Sequence, residues 1–295
     1  MRTLWTAVIT TVALLLPLTA AAAGTPGTPA SGKKANEYAI TVIPYYSPEK
    51  LWTRFAPFVD HLKKETGLPW ELKLYHDHET LLNGLCSGEV SLALLGPVPL
   101  GRAMKRCGVD IVAVPVGKDG KPVYRSIIIT SDPAVTTLGG LRQKRFALFK
   151  GSTAAHVVPL KMLRDAGLTE GDIVPVLLES QDHIINALLS RDVAAAGVKE
   201  ALYRKFEGDP LRVLKTSDPL PNFAFAAAPG LNDRTRKRFA DALLKLRPQT
   251  YPKDRELVQD WDDEIKNGFI IPPADFRAAV LNMLAAYEEI MHADK

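Results

Sequence analysis

Ser152, Thr153 and Ala154 follow Lys150-Gly151 and precede His156 in a chain of 295 residues. Residues 145–149 before them form a short apolar run that predicts a strand. Residues 157–165 after them carry apolar side chains at a spacing of roughly 3.6, which predicts a helix stopped by Gly167. A strand, a turn of small residues and a helix start gather free backbone N–H groups at one point, and the helix dipole adds partial positive charge. The hydroxyls of Ser152 and Thr153 are two further donors. Such a set suits an anion with several oxygens. It also suits an ordinary helix cap, so the stretch alone leaves both readings open.

Other residues could join an anion site. Tyr124 can donate its hydroxyl to an oxyanion, and Tyr45 is a weaker candidate of the same kind. His183 can donate to a phosphate-type oxygen near neutral pH. His156, in the first turn of its helix, reads as packing behind the turn. His76 and His78, with Asp77 and Glu79, could suggest a metal site. No third ligand cluster accompanies them, and a strand end followed by a capping Asp77 is the simpler account. The chain has no P-loop, GxGxxG, HExxH or GxSxG pattern, so we expect no cofactor, no metal and no catalytic residues. A Ser whose hydroxyl is spent on capping is a poor nucleophile.

The elements that must position these residues alternate. Tyr38–Ile43, Trp70–Tyr75, Val90–Leu95 and Val109–Val116 predict strands. Glu49–Thr66, His78–Cys86 and a segment reaching Arg106 predict helices between them. Tyr124–Thr130 predicts one further strand, and Leu138–Gln143 a short helix. A second series then runs through Phe146–Phe149, a helix from Ser152, Ile173–Leu178, a helix over Asp182–Ser190, Val193–Val198, a helix over Lys199–Phe206 and a strand from Leu211. Pro221–Pro229 is extended. The rest is helical from Asn232, with a break around Gly268–Pro273. This alternation predicts an α/β fold with mainly parallel sheets.

Asn83-Gly84-Leu85-Cys86-Ser87-Gly88-Glu89-Val90 is echoed by Asn186-Ala187-Leu188-Leu189-Ser190-Arg191-Asp192-Val193. Each reads as a helix end, a turn and a strand. Asp77-His78 and Asp182-His183 lie upstream of the two copies, two residues out of step. The echo predicts two lobes on one plan, with strand-end loops facing a shared cleft.

Residues 1–23 have a basic start, a short apolar run and an Ala-rich end, the pattern of a cleaved signal peptide. Residues 24–35 read as a flexible lead. No other segment is apolar for long enough to span a membrane. Lys and Arg total 37 against 33 Asp and Glu, a formal net charge of +4, and the two signs are interspersed. That pattern argues against a nucleic-acid surface and permits a small anionic ligand. Cys86 and Cys107 can pair if the chain is exported, or remain as two partly buried thiols.

Together these segments resemble a known family. Leu95-Gly96-Pro97, Tyr124-Arg125-Ser126-Ile127, Gly151 through Pro159, Asp182-His183, Asn186-Ala187-Leu188-Leu189 and Gly268-Phe269 occur in the order found in the phosphonate-binding (PhnD-like) group of type 2 periplasmic binding proteins. The resemblance covers nearly the whole mature chain. It implies two lobes, 36–124 plus 223–295 and 125–222, joined by two crossover strands that act as a hinge. It implies that Ser152, Thr153 and the amide of Ala154 hold phosphoryl oxygens, with Tyr124 and His183 as further donors and His78 in place of a family tyrosine. It implies a monomer in the periplasm that delivers phosphate, phosphite or phosphonate to a membrane ABC permease.

The sequence also departs from the pattern. Ala154 stands where the family has a serine, Leu100 where a tyrosine is common, and Ile184 where an acidic residue can serve an amino-bearing ligand. These losses argue against an aminoalkylphosphonate. Two competing readings use the same scaffold: a sensory subunit for a membrane receptor or histidine kinase, and an exported phosphoester hydrolase.

Overall fold

A computed structural model describes residues 38–206 and 210–293. The expected signal peptide and lead lie outside the described residues. In chain order the first half runs β1 (Ala39–Val42), α1 (Pro48–Thr66), β2 (Glu71–Leu72), α2 (His78–Cys86), β3 (Leu92–Leu95), α3 (Pro97–Cys107), β4 (Asp110–Pro115), β5 (Val123–Tyr124) and β6 (Ser126–Thr130). It continues with β7 (Arg145–Phe149), α4 (Val158–Asp165), β8 (Val174–Leu178), α5 (Gln181–Leu189), β9 (Ala195–Lys199) and α6 (Glu200–Tyr203). The last part comprises β10 (Arg212–Thr216), β11 (Leu220–Pro221), β12 (Ala224–Ala227), α7 (Asp233–Leu244), α8 (Pro252–Val258), β13 (Phe269–Ile270) and α9 (Phe276–Ala293).

The strands form two larger sheets. One has the order β13-β4-β12-β3-β1-β2, the other β10-β6-β9-β7-β8. In the first, β1 pairs in parallel with β2 and β3, while β12 enters antiparallel between β3 and β4. In the second, β7 pairs in parallel with β8 and β9, and β6 runs antiparallel to β9. Each lobe is therefore a parallel α/β core completed by strands that arrive from the other lobe. A ribbon of β5 and β11 lies where the chain crosses in both directions.

Sequence patterns account for most of this. Helix α1 buries Leu51, Phe55, Phe58, Val59 and Leu62, the predicted apolar face, between an N-cap at Ser47 and a left-handed stop at Gly67. Phe58 stacks on Phe225 of β12 and meets Trp261 edge-on, at ring-centre distances of 5.5 and 5.1 Å. Cys86 and Cys107 are joined in a disulfide that ties the end of α2 to the end of α3.

The internal echo is structural. Helices α2 and α5 are followed by matching turns and by β3 and β9. Their N-caps, Asp77 and Ser180, occupy the same place in the two copies, accepting from the amides of Thr80 and His183. This removes the apparent two-residue mismatch, because Asp182 is not the cap. The turn after each helix needs a left-handed residue, supplied by Gly88 at φ +75° in one lobe and by Arg191 at φ +62° in the other.

Four expected elements differ. Tyr124–Thr130 is not one strand. Tyr124 pairs with Leu220 in the ribbon, whereas Ser126–Thr130 enters the second sheet, and the pairing breaks at Arg125 where the carbonyl turns to the Glu200 amide. The extended piece after Pro221 divides in the same way, so the crossovers are shorter than the sequence suggests. Only Glu71–Leu72 of the 70–75 segment pairs, at the edge of the first sheet. The expected break near Gly268 contains β13, which lies antiparallel to β4. Local composition cannot reveal a two-residue strand, because its pairing partner lies far away in sequence.

Candidate functional site

β7 ends at Phe149, and Gly151 turns the chain at φ +79°, a conformation that favours glycine. Ser152 caps the following helix, its Oγ accepting from the Ala155 amide at 3.2 Å. The first turn is wide: the Val157 amide reaches back to the Ser152 carbonyl at 3.1 Å, and the Val158 amide to the Thr153 carbonyl. The Thr153 and Ala154 amides stand ahead of that turn with no intrahelical carbonyl to meet. Ser126 Oγ fixes the turn from below by donating to the Ala154 carbonyl at 2.7 Å. His156 is buried behind it and accepts from the Gly151 amide through Nδ1 at 3.3 Å. Burial, with the Lys150 charge adding, pushes the His156 pKa down to about 4, so this ring is neutral.

The other lobe approaches with α3. Its cap, Gly96, has no side chain to give, and Pro97 and Pro99 remove two first-turn amides. The remaining one, on Val98, donates to Thr153 Oγ1 at 3.0 Å across the interface. Tyr124 is buried beside the Thr153 hydroxyl, and its own hydroxyl meets no partner in full hydrogen-bond geometry. Burial and then the Glu264 charge raise its pKa far above the ordinary tyrosine value, with the adjacent Thr153 hydroxyl opposing, so it keeps its proton and can donate. The Tyr45 hydroxyl is already engaged, donating to Asp262 Oδ1 at 2.7 Å. Burial and then the neighbouring Glu264 charge push Asp262 up to about 6.

Two cavities lie between the lobes. The inner one, about 10 Å³, is lined by Ser152, Thr153 and Ala154 from the turn, by Tyr45, Gly96 and Phe223 from the first lobe, and by Gln181 and Lys199. Its size is about that of one water. The outer one, about 830 Å³, opens at the rim and is lined by His78, His183, Lys150, Tyr46, Arg102 and Glu179 among others. His78 is buried against Phe149, ring centres 5.3 Å apart, and its Nε2 has no partner. Burial, with Arg102 adding and Asp77 opposing, pushes its pKa down to about 4. His183 is exposed at the start of α5. Among the seven expected residues, the structure thus gathers Ser152, Thr153, Ala154 and Tyr45 around the inner cavity, with Tyr124 beside Thr153. It leaves His78 and His183 on the outer one. Tyr45 contributes its ring there and spends its hydroxyl on Asp262.

Ion pairs close the interface around these cavities. Lys50 reaches Asp182 at 2.8 Å, Lys205 pairs with Asp263, and the buried Lys199 pairs with the partly buried Glu264. Among the described residues no group of His, Cys, Asp and Glu could hold a metal ion, and no helix is long and apolar enough to cross a membrane.

A family model described as "ABC transporter, phosphonate, periplasmic substrate-binding protein" matches residues 40–274. The chain belongs to that family. A curated relative, the phosphonates-binding periplasmic protein of Escherichia coli, is 27% identical over 124 residues, which span 40% of this chain and 37% of the relative. The binding-protein component of an ABC phosphonate transporter from Pseudomonas aeruginosa superposes with a TM-score of 0.75 at 18% identity, covering 87% of this chain and 88% of that one. PhnD1 from Prochlorococcus marinus, in complex with methylphosphonate, does so with a TM-score of 0.74 at 16% identity, covering 88% and 98%. The solved structures establish the fold: two lobes of the type 2 periplasmic binding protein architecture.

Within this periplasmic binding-protein family member, the sequence reading passed over several residues at the cleft. Lys199 and Phe149 close their strands, β9 and β7, at the carboxyl ends, where ligand-facing loops begin. That position was a usable signal. Gln181 occupies in the second copy the place of His78 in the first, which the corrected alignment of caps makes visible. Glu264, Asp262 and Phe223 come from the returning first-lobe chain, and nothing in their local sequence marks them.

Proposed function

We propose that this protein is an exported solute-binding protein that captures a small phosphate-like oxyanion (phosphate, phosphite or a phosphonate) between its lobes and delivers it to a membrane ABC permease. The observation that carries this reading is the buried Tyr124 hydroxyl, which meets no partner in full hydrogen-bond geometry, beside Thr153 at the Ser152–Ala154 helix start. A buried donor left unsatisfied costs about 1–3 kcal/mol, and an oxyanion held by the Thr153 and Ala154 amides would relieve it. The methylphosphonate complex of the Prochlorococcus protein supports the same ligand class. An ion of four or five heavy atoms exceeds a cavity of about 10 Å³. Capture therefore requires the lobes to part at the β5–β11 ribbon and to close again on the ion.

On this reading the lobes are 36–124 plus 223–295 and 125–222, the protein works as a monomer, and the signal peptide 1–23 is removed on export. His78 and His183 line the entry rather than the oxyanion seat. The protein binds without making or breaking bonds. Calorimetry with phosphate, phosphite and methylphosphonate tests the reading. Binding of at least one of them is expected, with loss in Thr153→Ala. Absence of binding across the panel, or an unchanged affinity in Thr153→Ala, overturns it.

A further inference from the structure

The helix start supplies only partial positive charge to an oxyanion, and the cation nearest the seat is Lys199. It ends β9 at the place that Gly96 holds at the end of β3 in the other lobe. It is 5% exposed and lines the inner cavity together with Ser152, Thr153 and Ala154. Its ammonium group pairs with Glu264, donates to Asn222 Oδ1 at 3.4 Å, and sits 4.3 and 4.4 Å from the ring centres of Tyr124 and Phe223. An ammonium group has three donors. Glu264 and Asn222 take two, and the third remains beside the ring of Tyr124, whose hydroxyl adjoins Thr153.

We propose that Lys199 is the residue that neutralises the captured oxyanion, that Glu264 competes with the anion for this cation, and that Lys199 excludes ligands carrying an amino group next to the phosphoryl head. The inference rests on the oxyanion reading of the cleft and deepens it. A compact ammonium charge suits a tetrahedral oxyanion. A ligand ammonium two carbons from the head would instead place a second cation in the same water-poor space. Glu264 belongs to the first lobe and Lys199 to the second, so the pair also bridges the interface. An anion entering the seat meets a lysine already partly neutralised.

The test is calorimetry of wild type, Lys199→Met, Glu264→Gln and Thr153→Ala with phosphate, phosphite, ethylphosphonate and 2-aminoethylphosphonate. Lys199→Met should weaken anion binding about thirtyfold or more. It should also shrink the wild-type preference for ethylphosphonate over 2-aminoethylphosphonate, a ratio that a merely structural lysine would not move. Glu264→Gln keeps an acceptor for Lys199 and removes the competing charge, so it should bind the anions more tightly than wild type. Should Lys199→Met fail to fold, Glu264→Gln decides the question. Lys199→Met binding within about twofold of wild type, while Thr153→Ala loses binding, overturns this inference and leaves the oxyanion reading intact. Glu264→Gln binding no tighter than wild type also overturns it. Failure of every protein to bind any anion overturns both.

Discussion

Two helix starts face each other across the inner cavity, and they are built in opposite ways. In the second lobe, Ser152 and Thr153 bring hydroxyls, and the amides of Thr153 and Ala154 lie ahead of a wide first turn. In the first lobe, Gly96 brings no side chain, Pro97 and Pro99 delete two amides, and Val98 spends the remaining one on Thr153. The matched strand ends differ as well, with Gly96 on one side and Lys199 on the other. The difference teaches that recognition and closure are divided between the lobes. On the proposed reading the second lobe supplies the helix-start donors, while the first supplies Tyr124 and a helix start whose one first-turn amide is spent on Thr153. Donors gathered on one lobe can hold an anion before the lobes close, whereas the Val98–Thr153 bond forms only on closure. Placing them on one lobe lets the other lobe report closure.

The largest expected effect is on stability against pH. His78 in the first lobe and His156 in the second are both held near a pKa of about 4 in the folded protein, against 6.5 when exposed. The unfolded chain therefore binds more protons between these values, and stability is lost as pH falls from about 6.5 to about 4. Each histidine accounts for roughly 3 kcal/mol. Asp262, pushed up to about 6, acts in the opposite sense by keeping its proton in the folded state, which offsets about one histidine. Thermal melts from pH 7 to 4 should show a net loss of roughly 3 kcal/mol. Replacing either histidine by Gln should flatten the slope. A flat wild-type profile would break the equivalence of the two buried rings.

Next in size is the contrast between recognition and closure. Thr153→Ala removes an oxyanion donor and should weaken ligand binding by about 2 kcal/mol, roughly thirtyfold. Val98→Pro is backbone-compatible with a first turn and removes the interlobe bond together with some packing of a fully buried side chain, so its loss of ligand affinity, read against a melt of the ligand-free protein, should be smaller, about 1 kcal/mol or fivefold. Equal losses in calorimetry would mean that both helix starts recognise the ligand. Tyr124→Phe sharpens the same division. It should lower affinity about tenfold while leaving the melting temperature of the ligand-free protein unchanged or raised, since it deletes a buried hydroxyl that meets no partner in full hydrogen-bond geometry.

The smallest effect concerns the matched turns. Gly88 adopts a left-handed conformation without strain, but Arg191 adopts it with a side chain. Arg191→Gly should stabilise the protein by about 1 kcal/mol in denaturant titration, and Gly88→Ala should destabilise it by a similar amount.

Much of this was legible in the chain. Helices α1 and α2 fall where apolar spacing and, for α2, the cap Asp77 put them. The turn at Gly151–Ser152 is written in its residue types, and the repeat around Asn83 and Asn186 announces two lobes. The same repeat misled by two residues because Asp182 is as good a capping residue as Ser180. Only the observed cap shows that Gln181, not His183, corresponds to His78. The division of the site into an inner seat and an outer rim was not legible. It depends on how deeply α5 inserts its first residue, which places Gln181 inside and His183 in solvent.

The sequence by itself determined the strand–turn–helix units, the cluster of donors at residues 152–154 and the pairing-competent cysteines. These rest on local rules: backbone conformation, side-chain period and first-turn hydrogen bonding act within a few residues. Only the tertiary structure decided that Tyr45 spends its hydroxyl on Asp262, that the Tyr124 hydroxyl meets no partner in full hydrogen-bond geometry, and that Lys199 meets Glu264 inside the cleft. Those outcomes join residues 65 to 217 positions apart. They depend on burial and charge brought together by the crossing of the chain between lobes, and no short stretch of sequence contains that information.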